Sequence, residues 1–281
     1  MLVTSGILKN VYKKRKAWSR KGDFGRLLVI GGSKLYTGAP FLVSLAALRV
    51  GCDLVTVAAP ERAANIAAKN LNLITYPLKG DFLSVKHIGE LKKLSMGKDA
   101  IVIGNGLGRD KETMEAVIQF LSKVDLPAVV DADAIRAVAE NKKSIRNNFI
   151  ITPHAGEFYA LTGKQAGIGL KERLKSVKGA AGRMKVTILL KGHIDVISDG
   201  TKTAANKTGN PFMTKGGTGD VLAGICGSLL ASSKTSKPDL PGRIISKRIK
   251  SNLPVFKASR ADGPSAAEVT SNFSLISRVF K

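Results

Sequence analysis

The stretch Gly209-Asn210-Pro211-Phe212-Met213-Thr214-Lys215-Gly216-Gly217-Thr218-Gly219-Asp220 decides how this chain is read. It runs without a break into Val221-Leu222-Ala223-Gly224-Ile225-Cys226-Gly227-Ser228-Leu229-Leu230, an apolar run rich in small residues that suits a buried helix. A glycine-rich turn feeding a helix N-terminus is an anion site. Backbone N–H groups converge there, the helix dipole favours negative charge, and glycine lets the backbone approach a ligand. Asp220 stands out, because a carboxylate there repels a phosphate unless it has another task. It can cap the helix, or it can take a proton from an attacking hydroxyl. The two roles are compatible.

Upstream, apolar runs alternate with helical segments. Residues 26–30 read as a buried strand ending in Gly31-Gly32. A helix follows over 38–50, with Pro40 in its first turn and Gly51 at its end. Strands are predicted at 53–59, 73–78, 100–104, 127–131, 149–152 and 186–190. Helices are predicted at 61–70, 85–94, 111–124 (capped by Asp110), 134–141, 156–161 and 170–184. Residues 195–198 and 201–205 form a hairpin around Asp199-Gly200. The rhythm implies an α/β fold, a mostly parallel sheet with helices on both faces. Ligands collect at the carboxyl ends of such strands. The positions to inspect are therefore Gly31-Gly32, Gly104 to Gly108, Asp131 to Asp133, Pro153-His154 and Lys191-Gly192-His193. Read locally, Asp131 and Asp133 are a turn residue and a helix cap, with catalysis as the alternative, and His154 is an ordinary strand-end residue or a contact.

With 281 residues the chain can build one large α/β core. Its 45 Lys and Arg against 21 Asp and Glu give a net charge of +24, which favours anionic ligands. Aromatics are only 5%, and no interleaved aromatic–basic motif of the RNA-reading kind occurs, so nucleic acid is not the expected partner. Cys52 and Cys226 read as buried thiols in apolar helical contexts of a cytoplasmic protein. The three histidines and two cysteines have no metal-ligand spacing. No apolar run reaches about 18 residues, so no membrane span is expected. The polar, basic N-terminus argues against secretion.

Two nucleotide fingerprints fail. The chain has no G-x-x-x-x-G-K-[ST] phosphate loop. Gly104-x-Gly106-x-Gly108 has the wrong spacing for the dinucleotide-binding G-x-G-x-x-G, although Asp131 lies about where that fold's ribose-binding acid would. An NAD-dependent oxidoreductase stays as an alternative on that ground.

The Gly-Thr-Gly-Asp string resembles the ribokinase-like superfamily, and the longer GNPFMTKGGTGDVLAG resembles the NAD(P)H-hydrate dehydratase family. Further motifs appear in that family's order. They are Lys21-Gly22-Asp23-Phe24-Gly25-Arg26 with Val29-Ile30-Gly31-Gly32-Ser33, Tyr36-Thr37-Gly38-Ala39-Pro40, and Gly104-Asn105-Gly106-Leu107-Gly108-Arg109. Asp131-Ala132-Asp133-Ala134, Thr152-Pro153-His154-Ala155-Gly156-Glu157-Phe158 and Lys191-Gly192 follow. The resemblance covers residues 20 to about 231.

It implies a ribokinase-like fold and a homo-oligomer. It also implies a reaction in which ADP or ATP, with Mg²⁺, phosphorylates the hydroxyl of the S-form hydrate of NADH or NADPH. Loss of phosphate then restores the dihydropyridine. Carried over to this chain, Ala39, Gly106, His154 and Asp220 would contact the hydrate, with Asp220 as catalytic base. Lys191, Gly192, His193, Ile194, Asp195, Gly216, Gly217, Thr218 and Gly219 would line the adenine nucleotide, and Glu157 would reach Mg²⁺ through water. Asp195 stands where the family often has Thr. The same machinery serves a kinase of a small alcohol, such as a sugar or vitamin precursor. A third reading is a basic nucleic-acid-binding protein on a retired enzyme fold.

After Leu230 the texture changes. Residues 232–281 hold ten Lys and Arg, three Asp and Glu, and ten serines, with prolines at 238, 241, 254 and 264. The division expected is a ribokinase-like domain over 1–231 and a basic, serine-rich tail over 232–281, loosely attached because it offers little apolar surface to bury. The family's Ala-rich helix pair has no counterpart there, which reads as a lineage-specific tail or an altered reading frame.

Overall fold

The alternation of short apolar runs and amphipathic segments folds as the sequence indicates. A computed structural model of the chain describes residues 15–235. The expectation of a loose tail falls on residues that lie outside the described ones, apart from a 3-10 turn at Ser232–Thr235.

Among the described residues nine strands form one sheet. They are β1 Arg26–Ile30, β2 Leu54–Pro60, β3 Ile74–Leu78, β4 Ala100–Ile103, β5 Ala128–Val130, β6 Phe149–Ile151, β7 Thr187–Leu190, β8 Asp195–Ser198 and β9 Thr203–Asn206. Their spatial order is β3-β2-β1-β4-β5-β6-β7-β8-β9. The first seven pair in parallel, and β7-β8-β9 are antiparallel, with β8 and β9 forming the expected hairpin. The eight α-helices among the described residues are α1 Ala39–Val50, α2 Glu61–Ala67, α3 Ile88–Ser95, α4 Lys111–Lys123, α5 Asp133–Glu140, α6 Ala155–Thr162, α7 Leu170–Met184 and α8 Thr218–Ala231.

Strand side chains alternate between two faces. Leu27 and Val29 face a core shared with Val43 of α1 and Ala223, Cys226 and Leu230 of α8. Leu28 and Ile30 face the larger core, which holds Phe120 of α4, Ile135 of α5, Phe158 of α6 and Val177 of α7. The small residues of α8 let it lie close to its neighbours. A Cβ on Gly224 would collide with the Val43 carbonyl of α1, and one on Gly227 with the Val102 side chain of β4.

The chain builds β1 to β3 outward on one side, then returns to lay β4 beside β1. This reversal is the switch point at which open α/β sheets bind ligands. Ile30 pairs with Ile103, Ile103 with Val130, and Val130 with Ile151. That register sets Gly31, Gly104, Asp131 and Thr152, the next residue on each strand, side by side along one edge.

Several local expectations shift. The segment 85–94 is not one helix. Ser84 and His87 cap a 3-10 turn at Val85–His87, and α3 follows. The helix expected to reach 70 ends at Ala67. Asp110 stands at the N-cap of α4 but makes no side-chain cap hydrogen bond. Cys52 is buried beyond α1, in the turn before β2, while Cys226 lies within α8; both thiols are free. No helix among the described residues is long and apolar enough to cross a membrane.

Candidate active site

The glycine turn enters α8 through Gly217, which stands at the N-cap with φ 93°. Glycine adopts that left-handed backbone without a Cβ penalty. The helical ladder starts where Val221 N–H donates to the Gly217 carbonyl at 3.0 Å. The amides of Thr218, Gly219 and Asp220 therefore precede the ladder and converge at the positive end of α8. The Thr218 hydroxyl donates to the Met213 and Lys215 carbonyls and holds the turn shut.

Asp220 is thus not the helix cap. It sits in the first turn, beyond Gly217. Its Oδ1 accepts from Nδ2 of Asn105 at 2.8 Å, and the same nitrogen donates to Oδ2 of Asp131 at 2.9 Å. Asp131 is 2% exposed and also accepts from the Thr152 hydroxyl at 2.7 Å and Nζ of Lys191 at 2.7 Å. Lys191 Nζ lies 3.9 Å from Oε2 of Glu157, and a Cβ on Gly219 would come within 3.6 Å of it. One ammonium therefore links the carboxyl ends of β5 and β7, α6 and the glycine turn.

Burial raises the Asp220 carboxyl to about 6, and the charge of Asp131 adds to it, against the Asn105 hydrogen bond and Lys191. An acid at that level is ionised at neutral pH yet basic enough to accept a proton. Glu157 is raised for the same first reason, desolvation. Burial alone would lower Lys191, but the carboxylates of Asp131, Glu157 and Asp220 outweigh it and hold the ammonium above its ordinary value.

Asp131 does open the turn into α5, its carbonyl accepting from Ala134 N–H at 3.2 Å, while its side chain ties Asn105, Thr152 and Lys191 together. Asp133 opens α5, where it accepts from Gly108 N–H at 3.0 Å and pairs with Arg109, instead of capping its own helix. Ala132 between them has φ 49° and ψ −124°, a strained backbone for a non-glycine residue that turns the two carboxylates to different partners. His154 caps α6. Its Nδ1 accepts from Gly156 and Glu157 amides, which places the proton of a neutral ring on Nε2, 3.4 Å from Oε1 of Glu157. Glu157, 7% exposed, returns the bond by accepting from His154 N–H at 2.8 Å. Among the described residues no three His, Cys, Asp or Glu side chains gather into a metal ligand set.

Ala39 and Gly106 meet at the switch point. A Cβ on Gly106 would lie 2.9 Å from that of Ala39 and 2.8 Å from that of Tyr36. Asn105, one residue away, joins this corner to Asp220. The β7–β8 turn carries the other group. Gly192 and His193 are exposed, and Ile194 packs against the large core. Asp195 accepts from Gly192 N–H at 3.0 Å and is raised by burial. Two further side chains meet the site without a sequence signal of their own. Asn105 lies inside a glycine motif, which masks its amide. Arg173, from α7, lies across this turn, donates to the Lys191 carbonyl at 3.4 Å, and is lowered by burial.

A mostly parallel sheet closed by an antiparallel hairpin, with a glycine turn and an acid in the first turn of the last described α-helix, defines the ribokinase-like class. Within it the chain belongs to the NAD(P)H-hydrate dehydratase family, whose sequence model matches residues 27–261. The chain is 47% identical over 227 residues to a bifunctional NAD(P)H-hydrate repair enzyme of Pyrobaculum aerophilum, a match covering 80% of this chain and 44% of that protein. It thus spans less than half the length of that relative. It is 37% identical over 262 residues to the ADP-dependent (S)-NAD(P)H-hydrate dehydratase of Nitrosopumilus maritimus, covering 88% of this chain and 90% of the other. The fold superposes with a TM-score of 0.74, at 25% identity, on the Bacillus subtilis ADP/ATP-dependent NAD(P)H-hydrate dehydratase co-crystallised with ATP/Mg²⁺, covering 99% and 96% of the two chains.

Proposed function

We propose that this protein dehydrates the S-form of NADH or NADPH hydrate, using ADP or ATP. The observation that carries the reading is Asp220, a proton-accepting carboxylate in the first turn of α8, directly beside an anion-binding glycine turn. The nucleotide phosphates lie at the amides of Gly216 to Gly219 and at Lys191, and the adenosine end lies along Gly192 to Asp195. The hydrate's ring lies between Ala39, Gly106 and His154. Asp220 takes the proton of the ring hydroxyl as that oxygen bonds to the terminal phosphorus and the bridging P–O bond of the nucleotide breaks. The turn amides stabilise charge on the transferred group. The ring nitrogen's electron pair then expels phosphate, and loss of a proton from the adjacent ring carbon restores the dihydropyridine.

The acids here do not form a cage for a resident metal, because Glu157 already accepts from His154 N–H and faces Lys191. Mg²⁺ fits as the companion of the nucleotide, with Glu157 reaching it through water, and would neutralise phosphate charge.

The test is incubation with NADH hydrate, Mg²⁺ and either ADP or ATP, following the return of dihydronicotinamide absorbance. Recovery with release of inorganic phosphate is expected. A stable phosphate ester would make the protein a small-alcohol kinase instead, and no turnover with either nucleotide would overturn the reading.

A further inference from the structure

Asn105 is 1% exposed, and among the described residues its side-chain amide donates to side chains rather than to the backbone. Its main-chain carbonyl already accepts from Gly32 N–H at 2.8 Å, which fixes the loop. Both hydrogens of its amide nitrogen go to carboxylates, Asp131 at the end of β5 and Asp220 in α8. The opposite amide orientation would set its carbonyl oxygen against two carboxylate oxygens, so charge fixes which way the group points. Among the described residues its buried Oδ1 has no hydrogen-bond partner.

The charged and titratable groups around Asp220 come from several elements. Asp131 opposes its ionisation, while Lys191, beyond β7, favours it. Glu157 of α6 shares that same lysine. On α8 itself Cys226 is buried and raised to about 12, so it stays an uncharged thiol. Among these groups Asn105 donates a hydrogen bond to the Asp220 carboxylate itself.

The geometry points to Asn105 as a positioning residue, whose amide aims the Asp220 carboxylate and keeps it in the ionised, proton-accepting form. This rests on the reading of Asp220 as the base. Without the amide, Asp220 loses its donor and faces Asp131 with no dipole between the two like charges. The carboxylate becomes harder to ionise.

The experiment is a ¹³C NMR titration of aspartate carboxyls in the full-length protein, with the Asp220 signal assigned through Asp220→Asn. In Asn105→Ala the Asp220 midpoint should rise by about one unit or more. The acid limb of kcat/KM should move by the same amount. Thermal unfolding is measured alongside. Should Asn105→Ala fail to fold, Asn105→Ser carries the comparison, since its hydroxyl can donate to only one carboxylate. A lowered melting temperature with an unmoved Asp220 midpoint would show a merely structural role and overturn the inference. If the wild-type protein turns over no hydrate, the functional reading fails, while the NMR comparison still decides what Asn105 does.

Discussion

Replacing Asp220 by Asn keeps the shape of the side chain and removes its charge. If Asp220 is the base, turnover should fall by about 10²–10⁴-fold. Nucleotide affinity should stay near wild type, because the turn amides and Lys191 are untouched. The same substitution should change stability in a pH-dependent way. The Asp220 carboxyl rises from 3.8 to about 6 on folding, with burial the main cause. Ionising it therefore costs the folded state, and the cost is absent below the ordinary value and complete above the folded one. A shift of that size corresponds to at most about 3 kcal/mol, and partial exposure to solvent brings it to the order of 1–2 kcal/mol. Asp220→Asn should accordingly melt higher than wild type at pH 8, and the difference should vanish as pH falls toward 4. Steady-state kinetics and calorimetric melting at several pH values test both halves. Turnover within a few-fold of wild type would refute the base. A stability difference that ignores pH would refute the electrostatic account of the site.

Lys191→Met removes the cation held by buried Asp131 and shared with Glu157. Leaving such carboxylates unpaired should cost about 3–5 kcal/mol, read by urea unfolding at pH 7, along with a loss of nucleotide affinity. Gly217→Val forces a β-branched residue to φ 93° and drives its Cβ to 2.7 Å from Leu42 of α1. ADP and ATP binding by titration calorimetry should weaken at least about tenfold, and unchanged affinity would remove the turn from the nucleotide site. Ala132→Gly relieves the positive φ between Asp131 and Asp133. It should raise stability by about 1 kcal/mol in chemical unfolding, and a loss would mean that the Ala132 backbone is not strained.

The sheet was legible because its strands are short, nearly continuous apolar runs closed by glycine or by polar residues, such as Ala100–Ile103 before Gly104. Helix ends were less so. The segment after Ala67 turns because Asn70 accepts from Asn72 N–H, a local side-chain bond that competes with the helix and leaves periodicity intact. At 85–87 the His87 ring accepts from Ser84 N–H, and hydropathy carries no trace of that. The glycine turn and Asp220 were readable because their chemistry is contiguous in sequence. Asp131 was legible only as a strand-end position, since its partners Asn105, Thr152 and Lys191 stand 26, 21 and 60 residues away. What the sequence did carry was a coarser signal, an acid, a lysine and an amide each placed just past the carboxyl end of a strand in a parallel sheet.

Burial and those distant partners together place the Asp220 carboxyl at about 6. Three carboxylates, Asp131, Glu157 and Asp220, share the single ammonium of Lys191. Asp131 takes the closest contact, with Thr152 and Asn105 adding to it. Asp220 is left with one amide donor and a partly buried position, so its charge is the least compensated of the Asp131–Asp220 pair. A fully paired acid would be ionised but too weakly basic to take a hydroxyl proton, and an unpaired buried one would be protonated and inert. The site lies between these limits. The strand register sets Asp131 beside Thr152, and the Asn105 amide beyond β4 then bridges Asp131 to Asp220 of α8. The motif ending in Asp220 supplies the carboxylate proposed as the base, and the groups at the strand ends behind it, Asn105, Asp131 and Lys191, set how far that carboxyl is raised by burial.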